Sequence, residues 1–119
     1  MNVRAAVTEG DGTFSIESVA FDAPASGEVL VAIKSSGVCH TDWDSLRWKK
    51  RLILGHEGAG TVLAIGNGVT QFSIGDRVML NWAIPCRVCF QCRLGKENIC
   101  ENRGTVPDER FHYARGTLN

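Results

Sequence analysis

Four of the chain's five cysteines fall in one short stretch, CRVCFQCRLGKENIC, as Cys86, Cys89, Cys92 and Cys100. The spacing C-x2-C-x2-C-x7-C lets neighbouring thiolates converge on one ion, while the longer arm brings the last sulfur round. Tetrahedral zinc accepts four sulfurs at about 2.3 Å. With no position left open, such a zinc is structural, and it would fix a lobe (about residues 86–100) too poor in apolar residues to fold alone. Four thiolates around a divalent cation leave a surplus charge of about minus two, which Arg87, Arg93 and Lys96, with backbone N–H groups, are expected to offset. A thioredoxin-like pair would use one C-x2-C step and leave Cys92 and Cys100 unexplained. An iron–sulfur cluster also takes four cysteines, and spacing alone leaves it open.

The fifth cysteine, Cys39, stands in SGVCHTDW, and His56 follows seventeen residues later in LGHEGAG. A lone cysteine is commonly a small core residue, and a lone histidine a hydrogen-bonding one. The neighbours favour a metal pair. Asp42 can accept the second ring N–H of His56 and fix its tautomer, as ligating histidines require. Gly55 and Gly58 allow the backbone to turn tightly around His56-Glu57.

The elements that must carry these residues are short strands broken by glycine. Phe14, Ile16 and Glu17 to Val19 read as a strand after the turn at Asp11-Gly12, and in EVLVAIK the apolar Val29, Val31 and Ile33 alternate with Glu28, Leu30, Ala32 and Lys34, a face only partly apolar. GTVLAIGNGV is a strand running into a Gly-Asn-Gly turn, and RVMLNW after Gly75-Asp76 puts Val78, Leu80 and Trp82 on one face. One short helix is expected between Thr41 and Trp48, capped by Thr41 or Asp42. The tail after Cys100 is weakly patterned. A mainly β, barrel-like single domain follows.

With 119 residues and a formal net charge of zero, the chain shows no charge excess toward nucleic acid or membrane partners, and the run Lys49-Lys50-Arg51 reads as a solvated loop. No apolar stretch resembles a targeting or spanning segment, so a cytoplasmic, reducing location is expected, with the cysteines free of disulfides.

Taken together, GVCHTD, GHEGAG, the FSIGDRV turn at Phe72 to Val78 and the cysteine lobe, in that order, resemble the N-terminal catalytic domain of zinc-dependent alcohol dehydrogenases of the medium-chain dehydrogenase/reductase family. The resemblance spans nearly the whole chain. It implies a GroES-like, partly open β-barrel, here truncated, with a zinc-binding lobe, and oxidation of alcohols to aldehydes or ketones by hydride transfer to NAD or NADP. It implies further that Cys39 and His56 hold a catalytic zinc and that Cys86, Cys89, Cys92 and Cys100 hold a structural one. By the same resemblance Thr41 begins a proton relay, His40 contacts the cofactor pyrophosphate, and Asp42 supports His56. Glu57 sits behind the catalytic metal, and Trp82 lines the substrate pocket; barrel core is the alternative for Trp82.

No G-x-G-x-x-G strand-turn-helix unit occurs, so the family's Rossmann domain is absent from residues 1–119. The family's third catalytic-zinc ligand and last barrel strands lie further on. The chain alone is therefore expected to show no turnover, and its open sheet edge invites homo-oligomers. A non-catalytic zinc-binding interaction module and an inactive truncated fragment are the alternative readings. Zinc-free quinone reductases lack the Cys39, His56 and four-cysteine set.

Overall fold

The protein is described by a computed structural model covering residues 1–83 and 85–102, together with the backbone of a strand at Gly116–Leu118. It divides into two compact units. The first holds residues 1–80 and that last strand, and the second begins at Asn81.

The first unit is built from two antiparallel sheets. In one, strand β1 (Asn2–Thr8) pairs with β2 (Ser15–Phe21) in register Val3↔Val19 and Val7↔Ser15. The turn between them is shaped by Asp11, whose Oδ1 accepts both the N–H and the hydroxyl of Thr13. A two-residue strand β4 (Leu52–Ile53) borders β1, and β7 (Gly116–Leu118) borders β2, giving the order β4-β1-β2-β7. Val7 and Val19 are fully buried here. Thr8, equally buried, keeps its hydroxyl paired by donating to Thr13 O at 2.6 Å and accepting from Gly10 N–H at 2.9 Å.

The other sheet has the order β3-β5-β6, from Val29–Gly37, Glu57–Ile65 and Arg77–Met79. In β5 the buried positions are Gly58, Gly60 and Val62, a two-residue period. A Cβ on Gly60 would lie 2.1 Å from Ala32 O, so glycine is what lets β3 approach there. The turn into β6 is locked by Asp76, which accepts Ser73 N–H on its carboxylate and Val62 N–H on its carbonyl.

Three details differ from the sequence reading. RVMLNW does not run on as one strand: β6 stops at Met79, Leu80 N–H still reaches Gly58 O, and Trp82 belongs to the second unit. The helix α1 is His40–Ser45, and its N-cap is Cys39 rather than Thr41 or Asp42, because Asp42 acts from the third helical position back onto Cys39 N–H. The apolar face expected in β3 closes only in part: Val29 and Val31 are half-buried, whereas Ile33 is 50% exposed. Mainly β character holds, with no closed barrel among the described residues. The weakly patterned tail lies, beyond residue 102, outside the described residues apart from β7. Among the described residues, no helix is long and apolar enough to cross a membrane.

The second unit carries a short helix α2 (Phe90–Arg93) and a 3-10 turn at Glu97–Ile99, both inside the cysteine-rich stretch.

Candidate metal centres

Asp42 organises the first cluster. Cys39 adopts an extended backbone (φ −99°, ψ 156°), so its N–H is free to donate to Asp42 Oδ2 at 2.9 Å, while Asp42 N–H returns to Cys39 O at 3.0 Å. The other carboxylate oxygen takes Gly55 N–H at 3.2 Å and faces His56 Nδ1 at 3.1 Å. Gly55 has φ +101°, a conformation that side chains disfavour, and it directs the chain so that consecutive residues both reach Asp42. One carboxylate, its side chain only 14% exposed, thus fastens both ends of the cluster.

Holding Nδ1 leaves Nε2 of His56 as the ligating nitrogen. The donor atoms of Cys39, His56 and Glu57 lie within 4.8 Å of one another. Burial pushes the His56 pKa down, but the hydrogen bond to Cys39 and the charge and hydrogen bond of Asp42 outweigh it, so the imidazole stays above its ordinary value. Cys39 is shifted the other way. The backbone N–H of Thr41, then its hydroxyl, 3.6 Å from Sγ, and then His56 favour the thiolate over the opposing effects of burial and the Glu57 charge. A thiolate, an imidazole with a fixed tautomer and a carboxylate suit zinc.

Glu57 reaches this cluster because Gly37 lies directly across from it in the β3–β5 ladder. A Cβ on Gly37 would sit 2.2 Å from Glu57 Oε2. Sequence reasoning missed this dependence; the GVC motif holds the glycine, but only the strand register reveals its partner. It also missed the two backbone N–H groups on Asp42, having assigned that carboxylate to His56 alone.

His40 and Thr41 are both exposed at the start of α1, and the Thr41 hydroxyl lies 3.6 Å from Cys39 Sγ. Trp82 is 51% exposed in the second unit.

The second cluster is the lobe. The four sulfurs of Cys86, Cys89, Cys92 and Cys100 lie within 4.8 Å of one another, with Cys92 and Cys100 buried. A tetrahedron with bonds of about 2.3 Å has sulfur–sulfur edges of about 3.8 Å, so the set fits one zinc with little movement. Arg87 takes φ +63°, and the chain past it turns Val88 N–H and Cys89 N–H onto Cys86 Sγ at 3.5 and 3.3 Å. Cys86 N–H points to Cys100 Sγ, Cys92 N–H to Cys89 Sγ, and the Asn102 amide to Cys86 Sγ at 3.2 Å.

Of the two expected sources of compensation, the backbone N–H groups are the ones found on the sulfurs. Arg87, Arg93 and Lys96 are exposed, and the Arg87 guanidinium lies 4.0 Å from Glu97. The sulfurs receive short-range N–H dipoles, which need not desolvate a cation. Their effect is uneven. The N–H groups of Val88 and Cys89 lower the Cys86 pKa to about 6, and those of Cys92 and Glu101 lower Cys89. Burial pushes Cys92 up to about 12. Asn102, two residues past the last cysteine, went unnoticed because asparagine in a polar tail carries no signal of its own.

Comparison with known proteins gives a consistent picture. Residues 25–119 match the alcohol dehydrogenase GroES-like domain family. An S-(hydroxymethyl)glutathione dehydrogenase of Paracoccus denitrificans is 38% identical over 98% of this chain and 35% of its own length. An NDMA-dependent alcohol dehydrogenase of Amycolatopsis methanolica is 35% identical over 98% of the chain and 34% of its length. Among solved structures, an alcohol dehydrogenase zinc-binding domain protein from Burkholderia ambifaria superposes with TM-score 0.79 at 36% identity, covering 87% of this chain and 29% of that one. A cobalt- and zinc-bound thermostable alcohol dehydrogenase from Pyrobaculum aerophilum gives TM-score 0.77 at 32% identity over 87% and 33%. The chain spans about a third of the length of the curated relatives it matches.

Proposed function

The chain belongs to the alcohol dehydrogenase GroES-like domain family, and from that membership we propose that it provides the zinc-binding catalytic portion of an NAD- or NADP-dependent alcohol dehydrogenase. The observation that carries this reading is the convergence of Cys39, His56 and Glu57 donor atoms within 4.8 Å, with His56 held through Nδ1 by Asp42. A zinc ion bound there would supply Lewis-acid polarisation of an alcohol or carbonyl oxygen, and hydride transfer belongs to the nicotinamide.

The chain's own residues do the positioning. Asp42 holds the imidazole and the Cys39 backbone in one frame, so both ligands keep their direction when a substrate arrives. The Thr41 hydroxyl, 3.6 Å from Cys39 Sγ, is the group that takes the alcohol proton, and neighbouring His40 carries it outward and meets the cofactor pyrophosphate. Glu57 adds a carboxylate behind the cluster that can enter or leave the ligand set. Trp82 is assigned to the substrate pocket on family resemblance.

Cys86, Cys89, Cys92 and Cys100 have no role in the reaction and hold a structural zinc. Small alcohols and aldehydes are the substrates, rather than nucleic acid or a membrane, and self-association uses the sheet edges. A cytoplasmic location keeps all five cysteines reduced, in keeping with their free state.

Elemental analysis tests the proposal. Zinc-saturated protein should hold two zinc ions per chain and Cys39→Ala one. One ion in both proteins would mean that only the lobe is loaded and would refute a zinc site formed by Cys39, His56 and Glu57 without a further ligand.

A further inference from the structure

The β3–β5–β6 sheet has a second face that neither cysteine cluster uses. Gly58, Gly60 and Val62 are buried, so Ala59 and Thr61 point to the opposite face, where both are half-exposed. The register Ala59↔Met79 and Thr61↔Arg77 adds Met79 and Arg77 to that face. On the other side of β5 the ladder slips between Ile33 and Ser35, which pair with Gly60 and Ala59. The extra residue of this bulge is Lys34, and bulges re-aim side chains in this way. Together Lys34, Ala59, Thr61, Arg77 and Met79 line one open groove.

The chemistry of the groove is unbalanced. The side chains of Lys34, Thr61 and Arg77 have no hydrogen-bond or ion-pair partner among the described residues. Lys34 and Arg77 stand on strands flanking β5, about 10 Å apart at the backbone, within reach of a common anion above Thr61. The floor is apolar, and Met79 is 87% exposed on it. Two cations and a hydroxyl over an apolar floor complement an anionic head joined to an apolar arm, a combination that neither a bare ion nor a neutral alcohol satisfies.

We propose that this groove binds a small amphiphile whose carboxylate or phosphate head sits between Lys34 and Arg77, accepts from the Thr61 hydroxyl, and lays a short apolar arm on Ala59 and Met79. The site is independent of the metal clusters.

Methionine methyl NMR reads it directly, because Met1 and Met79 are the only two methionines. The 13C-methyl protein is titrated with hexanoate, hexyl phosphate and inorganic phosphate. The Met79 signal should shift saturably with one or both amphiphiles while Met1 stays still, and the responding head group identifies the source. Inorganic phosphate should bind at least about tenfold more weakly for want of the arm. Lys34→Gln and Arg77→Gln should each weaken binding about tenfold, the loss of one charge-assisted contact, with zinc content unchanged. A Met79 signal unmoved by either amphiphile, equal shifts at Met1, or binding insensitive to both substitutions would overturn the proposal. So would a Met79 signal that moves with protein concentration and no further on adding either amphiphile, which would give this face to a second copy of the chain.

Discussion

Asp42→Asn separates a support role for this carboxylate from a merely structural one. The substitution keeps the size of the side chain but removes its charge and replaces one acceptor oxygen by a donor. The native carboxylate faces three donors: Cys39 N–H at 2.9 Å, Gly55 N–H at 3.2 Å and His56 Nδ1 at 3.1 Å. An amide oxygen can serve Cys39 N–H or the Gly55–His56 pair, and its NH2 then opposes whichever it abandons. Hydrogen bonds to a charged partner are worth about 1.5–3 kcal/mol each, and the side chain is shielded enough, at 14% exposure, for losing one to be felt. At about 1.4 kcal/mol per tenfold, metal affinity at Cys39 and His56 should fall roughly ten- to a hundredfold. Cobalt(II) titration of protein whose lobe is already zinc-filled reads this through the cobalt–thiolate absorption. In the metal-free protein, NMR should show the His56 midpoint lower than in wild type, since the Asp42 charge is one of the effects that raise it. Equal cobalt affinity in the two proteins, or equal loss at the lobe and at the Cys39 cluster, would refute the role given to Asp42.

Gly37→Ala should expel the Glu57 carboxylate, since the new Cβ would lie 2.2 Å from Oε2; its cobalt spectrum should match that of Glu57→Ala, and an unchanged spectrum would contradict the packing. Arg87→Val should weaken zinc retention by the lobe by about 1–2 kcal/mol because a β-branched residue resists φ +63°, whereas Arg87→Gly should retain zinc at least as well as Arg87→Val; chelator competition measures both. Zinc affinity at the lobe should rise with pH by at least about tenfold per unit near neutrality, because Cys92, at about 12, must lose its proton on binding, whereas Cys86, at about 6, is already ionised. In the metal-free protein the same shifts act on stability in opposite windows. The Cys86 contribution is lost as pH falls from the ordinary thiol value of about 8.5 through about 6, and that of Cys92 is lost as pH climbs from about 8.5 toward about 12. Thermal unfolding across pH checks the sign.

The sites were legible in the sequence to the extent that their residues are chemically rare. Four cysteines at metal-binding spacing bring their sulfurs together, and the Asp42–His56 contact could be anticipated from the need to fix an imidazole tautomer. What stayed hidden depends on backbone direction and register. The sequence implies backbone N–H groups at the lobe sulfurs but not which ones: those of Val88 and Cys89 reach Cys86 through the turn at Arg87, and Arg87, Arg93 and Lys96 themselves stay in solvent. Gly37 reads as ordinary punctuation until the ladder sets it opposite Glu57. In the fold, glycine breaks and alternation located β2, β3 and β5, but β1 and the two-residue β4 carried too weak a pattern, and RVMLNW looked like one strand although β6 spans three residues. The run Lys49-Lys50-Arg51 is an exposed loop, as its composition implies, but the pairing of Arg51 with Glu9 and Glu17 and of Lys49 N–H with Gly10 O joins chain segments that no local pattern announces.

The proposed function requires two metal environments of different composition in one small chain. Zinc X-ray absorption on saturated wild-type protein and on Cys39→Ala compares them most directly. Wild type should give an average shell mixing sulfur at about 2.3 Å with nitrogen or oxygen at about 2.0–2.1 Å, and Cys39→Ala should collapse to sulfur alone. A pure four-sulfur shell in both proteins would contradict it.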